Sequence, residues 1–136
     1  MWTKILVLIT TAFGLLWVST AAADKWTGPM LVKSYFVSQD QGIVRVVTDT
    51  NNEARDIAQA AGLGCNYVRE DLDGIVDIEL GSEGIESVEL QQMLTMLHIA
   101  LVTYRFVHFR ISEDHCSFVE QPEGAPVARG IQLLRD

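Results

Sequence analysis

Hydrophobic and polar positions divide this chain into one block without periodicity and a body whose period alternates between two and 3.6 residues. The block comes first. Lys4 precedes an apolar run, Ile5–Val18, and the small residues Ala21-Ala22-Ala23 close it. A positive start, an apolar centre and a small-residue cleavage site form the three-part pattern of a secretory signal peptide. The run is shorter than the roughly 20 apolar residues that a transmembrane helix needs. No Cys follows it to accept a lipid. The expectation is a signal peptide over 1–23, a mature chain beginning at Asp24 and no stable membrane anchor after cleavage.

In the body, Asp24–Pro29 reads as an extended lead-in and Met30–Val37 as a strand, with Tyr35, Phe36 and Val37 favouring the pleated chain. A polar turn over Ser38–Gly42 leads to a second strand, Ile43–Thr48, with Val44 and Val46 on one face and Arg45 on the other. Thr50-Asn51-Asn52-Glu53 has the form of a capping box. The helix behind it carries Ala54, Ile57, Ala58 and Ala61 on one stripe and stops at Gly62. Cys65–Arg69 reads as a strand and Asp71–Gly74 as an acidic turn. Ile75–Leu80 alternates, with Val76, Ile78 and Leu80 inward and Asp77 and Glu79 outward.

After a loop over Gly81–Glu86, Ser87 caps a long helix predicted to run to about Phe106. Its broad apolar face is Leu90, Met93, Leu94, Leu97, Leu101 and Tyr104. Ile99, Val102 and Phe106 lie on the opposite side among Gln92, Thr95 and Thr103, so a second apolar strip requires a cover. The cover is the C-terminal tail, the Trp26 segment or a partner chain. A last strand, Val107–Ile111, places His108 and Arg110 outward. The tail from about residue 120 contains Pro122, Pro126 and Gly130 and is predicted to be irregular, with Ile131–Leu134 as an edge strand.

These elements predict a single small α+β domain over 24–136: a mostly antiparallel sheet with two helices on one face. From Ile43 onward the order is β-α-β-β-α-β, the ferredoxin-like arrangement, preceded by an extra N-terminal strand. The stretch from Asn52-Glu53-Ala54-Arg55 to Ala60-Ala61-Gly62 resembles the first helix of the SPOR peptidoglycan-binding domains, which share that order. The resemblance covers a common helix composition only, and it implies a cell-wall glycan as one ligand class.

Charge narrows the partners. The chain has 10 basic and 18 acidic residues. Lys4 is the sole charged residue of the leader, so the mature part carries −9. A negative field repels phosphate backbones and anionic membrane surfaces, which argues against nucleic acid as a partner. The two cysteines, Cys65 and Cys116, pair by default in an oxidising compartment. The ferredoxin-like order sets their strands on opposite sheet edges, whereas bridged Cα atoms must lie within about 7 Å. Either residues 112–116 fold back, the thiols stay free, or the strand order differs.

Candidate chemistry is sparse. His108, His115 and Cys116 offer imidazole and thiolate ligands for zinc or copper, but adjacent residues on an extended chain point to opposite sides. His98 reads as a solvated histidine on a helix flank, and Met93 and Met96 as core fillers. A Cys–His nucleophile pair is the weaker reading, because a reactive thiol needs a lowered pKa and partial exposure, and a cysteine with an available partner in an exported chain is more often structural. Among the carboxylates Glu70, Asp71, Asp73, Asp77 and Glu79, a hydrolase would use Asp77 and Glu79. Cross-strand pairing with Arg45, His108 and Arg110 explains them more simply. No phosphate loop, Gly-x-Ser-x-Gly elbow or His-Glu-x-x-His occurs. No cofactor is implied. The sequence therefore points to a periplasmic or extracellular, non-enzymatic binding module. It would meet a protein partner, a second copy or a cell-wall glycan through Ile99, Val102 and Phe106. A metal-binding protein and a small hydrolase are the alternatives.

Overall fold

Alternating apolar positions need a second surface to bury them, and here most of them find it in one mixed sheet. The computed structural model describes residues 24–135; the segment read as a signal peptide, 1–23, lies outside the described residues. Among these, the strands are β1 (Asp24–Trp26), β2 (Val32–Ser38), β3 (Ile43–Thr48), β4 (Ile75–Glu79), β5 (Val107–Ser117) and β6 (Ala125–Leu133). The helices are α1 (Glu53–Ala60) and α2 (Val88–Thr103), with a 3-10 turn, Gly84–Glu86, ahead of α2.

The sheet order is β1-β5-β6-β4-β3-β2. Every neighbouring pair is antiparallel except β4 and β6, which run parallel with Asp77 opposite Val127. The chain is thus α+β, but its sheet is mixed and its order is not the ferredoxin-like one. Two departures explain the difference. The strand expected over Cys65–Arg69 is coil. The tail expected to be irregular forms β6, in the interior of the sheet between β5 and β4. Pro126 is tolerated there because β6 changes register along β5, between Ile111 and Cys116.

β3 and β4 occupy positions where both faces are covered. Val44, Val46, Val76 and Ile78 join the main core with Leu97, Phe109 and Ile111. Val47 and Ile75 form a second cluster with Ala125, against which Tyr67 packs. Each fully buried aliphatic side chain contributes roughly 1.5–3 kcal/mol by leaving water. Ala54 from α1 and Leu90, Leu97 and Ala100 from α2 complete the main core.

The α1 termini illustrate what local sequence can specify. Gly62 has φ +85°. Its N–H donates to the Gln59 carbonyl, and that of Leu63 to the Ala58 carbonyl, each at 3.0 Å. Those are the two bonds of a Schellman stop, as the glycine implies. The capping box does not form. The helix begins at Glu53, three residues after Thr50, so Thr50 is not its N-cap. Asn51 Oδ1 instead accepts from the Glu53 N–H at 2.9 Å. The Glu53 carboxylate reaches out rather than back, accepting from the Gly28 N–H at 2.9 Å and fastening the lead-in that joins β1 to β2.

Cys65 and Cys116 form a disulfide with Cα atoms 5.5 Å apart. Of the three possibilities left by the sequence, a different strand order is the one realised. The Schellman turn sends the chain toward the β5–β6 connection, where Asn66 and Tyr67 N–H groups donate to the Glu123 and Gly124 carbonyls. That places Cys65 beside the end of β5.

Ser87 caps α2, accepting from the Leu90 N–H at 3.4 Å. Leu90, Leu97 and Ala100 are buried, while Met93, Leu94, Met96 and Leu101 pack against the core from partly exposed positions. Tyr104, expected on this face, is not on it. It adopts the left-handed conformation at φ 56°, ψ 36°, which ends the helix and leaves its ring 82% exposed.

Candidate functional site

The C-terminal end of α2 lies beside the start of β2. Between them an open groove of about 730 Å³ is lined by Leu31, Val32, Asp49, Leu101, Val102 and Tyr104. Its wall is apolar: Val102 and Tyr104 both line it and both are exposed, Val102 at 60%. Lys33 and Asp73, also at the groove, pair at 2.6 Å. The carboxylate of Asp73 pushes the Lys33 ammonium above its ordinary pKa of 10.5. Asp49 accepts from the Asn51 N–H at 3.3 Å and, at 3.5 Å, from the Leu31 N–H. No cation among the described residues pairs with it.

The strip expected to be an interface divides in the structure. Val102 lines the groove, Phe106 is 45% exposed just past the end of α2, and Ile99 is half-buried. Tyr104, assigned to the core by periodicity, belongs with the exposed set. Asp49, Leu31 and Thr50 were not legible as site residues. They come from the ends of two neighbouring strands, and no short motif marks such a juxtaposition.

The carboxylates singled out in the sequence have different surroundings. Asp77 is fully buried and receives both Arg45 Nε and one terminal nitrogen at 2.8 Å, directly across the β3–β4 ladder. Arg45 also donates to the Val119 carbonyl at 2.7 Å, which binds the β5–β6 connection over this pair. The hydrolase alternative takes Asp77 as outward, whereas the side chain is buried beneath this connection. Cross-strand pairing of Arg45 with Asp77 is as the alternation implies. Asp71 is held in a two-pronged contact by Arg69 at 3.0 Å, and that hydrogen bond lowers its pKa from 3.8 to about 2. Glu79 meets His115 Nε2, and Glu70 is exposed.

The metal alternative also loses its parts. The Cys116 sulfur is committed to the disulfide and offers no thiolate. His108 Nδ1 lies 2.6 Å from the Thr27 carbonyl, which only accepts, so this nitrogen carries the proton. His108 and His115 stand seven residues apart on β5, roughly 20 Å along an extended strand. Among the described residues no group of three His, Cys, Asp or Glu side chains is placed to hold a metal ion. His98 is exposed on α2.

A second cleft, of about 410 Å³, opens near the N-terminal end of α2, with Arg110 and Arg129 on its lining. Its two arginines are already paired: Arg129 with Asp114 at 3.0 Å and with Asp24 at 3.5 Å, and Arg110 with Asp24 at 3.6 Å. Arg110 also lies over the Trp26 ring at 6.0 Å. The chain matches no protein-family model, and no match is found among curated proteins.

Proposed function

We propose that the chain is an exported, non-enzymatic module that binds a macromolecular partner through the groove between α2 and β2. The observation that carries this reading is the exposed apolar wall of Val102 and Tyr104 beside an uncompensated Asp49. Apolar surface left in water by a folded chain marks an interaction site when it is contiguous and rimmed by polar groups. The buried disulfide supports export, because such bonds persist in oxidising compartments. N-terminal sequencing of the exported fraction should begin at Asp24; an intact Met1 there would remove the signal-peptide reading.

The test of the surface is a photo-crosslinking side chain placed at Val102 in cells exporting the protein, with the exposed turn residue Asp40 as control. An adduct of defined mass at Val102 and none at Asp40 is the expected result. A silent Val102 probe ends the proposal. A cell-wall glycan is a second reading, favoured by one feature: Tyr104 offers an aromatic platform next to the hydrogen-bonding groups of Asp49 and Thr50. Co-sedimentation with purified peptidoglycan, lost on Tyr104→Ala, would distinguish it.

A further inference from the structure

The groove is lined by Val32 and Lys33, the first residues of β2, and that strand is a free sheet edge. β2 is the last strand of the sheet on this side and pairs with β3 alone, so the backbone groups along its outer side have no strand partner among the described residues. The opposite edge, β1, is three residues long and carries Asp24 in ion pairs with Arg110 and Arg129. By contrast β2 is seven residues long, and its only charged residue, Lys33, is drawn to Asp73. Phe36 and Val37 are exposed along it. Charges, prolines, bulges and short length are the devices that keep an edge from pairing; β2 has a bulge between Val32 and Ser34 and one Lys, both at its start, and residues 35–38 carry neither.

We propose that the occupant is an extended segment of a partner protein, added as one more strand to the edge of β2 and carrying a basic side chain toward Asp49. This rests on the reading of the groove as a binding surface and adds the chemistry of its ligand. Strand addition satisfies the free backbone groups, and alternate side chains supply selectivity. Successive side chains of an added strand point to opposite faces, so one set lies toward Phe36 and the other toward Val37 and Val102. Charge sets the rest. The chain carries −8, Asp49 has no counter-ion among the described residues, and a second copy would bring the same repulsive sign.

The probe is a synthetic nonapeptide of alternating valine and threonine with arginine at both ends, matched against the same peptide with glutamate at both ends. The arginine peptide should bind roughly ten-fold more tightly, the size of one charge-assisted hydrogen bond. It should slow hydrogen exchange of the outward amides of Val32–Ser38 and shift the resonances of Val102 and Tyr104. Asp49→Asn keeps the acceptor oxygen that Asn51 uses, gives up the longer contact from the Leu31 N–H, and should bring the two peptides to equal affinity, with retained cooperative thermal unfolding as the folding control. Equal binding of both peptides to the unaltered chain overturns the proposal, as does protection that maps away from β2. A dimer seen by light scattering that the arginine peptide fails to compete for also overturns it, by naming a second copy as occupant. If the Val102 probe crosslinks in cells while neither peptide binds, strand addition fails and the binding-surface reading stands.

Discussion

Three side chains show how differently a residue can be constrained in this molecule. Tyr104 occupies the left-handed region, where a bulky residue costs about 1–2 kcal/mol that glycine avoids. Its ring is almost free of packing, so nothing in the core offsets that cost. Tyr104→Gly should therefore raise stability by up to about 1 kcal/mol in urea unfolding, after allowance for the larger unfolded-state entropy of glycine. The same change should weaken partner binding, a separation that a purely structural tyrosine would not give. Asp77 is the opposite case. Removing its charge strands a buried guanidinium, and Asp77→Ala should cost about 3–5 kcal/mol. Arg45→Met combined with Asp77→Leu should recover most of that loss, because the site then needs no charge compensation. Asp71 lies between these extremes. Its carboxyl is depressed to about 2 by Arg69, so any stability from this exposed pair is complete above pH 3.8 and lost as pH falls through about 2. Carbon-detected NMR titration should find its midpoint near 2, and Arg69→Gln should return it toward 3.8.

At the scale of elements, legibility followed the range of the interactions. β3, α1 and α2 were readable because period and stop signals are local: Gly62 forms its Schellman bonds and Ser87 caps its helix. Cys65–Arg69 reads as a strand from its strand-favouring Tyr67 and Val68, but its Asn66 and Tyr67 N–H groups bond instead to the Glu123 and Gly124 carbonyls, far along the chain. The disulfide holds the same segment. It closes a separation of 51 residues, which in the chain-entropy view contributes about 4 kcal/mol. Replacing both cysteines by Ala should lower stability by roughly that amount at most. The loss should come with faster hydrogen exchange at Asn66 and Tyr67 than at β3, because only the former depend on the bridge to keep their partners near. Equal acceleration in β3 would show that the disulfide supports the whole sheet rather than this segment.

For the whole molecule, the decisive feature is the position of the last strand. β1 and β5 form one part of the sheet and β2, β3 and β4 another, and β6 lies between them, antiparallel to β5 and parallel to β4. Nothing local announces this. Pro126 and Gly130 break the pattern of β6, and its parallel partner Asp77 lies 50 residues earlier. This is why the tail reads as irregular; the groove is hidden for a different reason, since its walls join α2 to residues at the ends of β2 and β3 that lie far apart in sequence and leave only the apolar strip on α2 to be read. Pairings of such sequence separation form late and slowly. Until residues 125–133 are available, β4 and β5 lack their common neighbour and the main core lacks Ala128 and Ile131. A chain ending at Glu123 should therefore retain helical signal without a cooperative thermal transition. A peptide spanning 124–136, added to it, should restore the transition at a temperature that rises with peptide concentration. Cooperative unfolding of the shortened chain by itself would show that the two parts of the sheet are joined through the helices and not through β6.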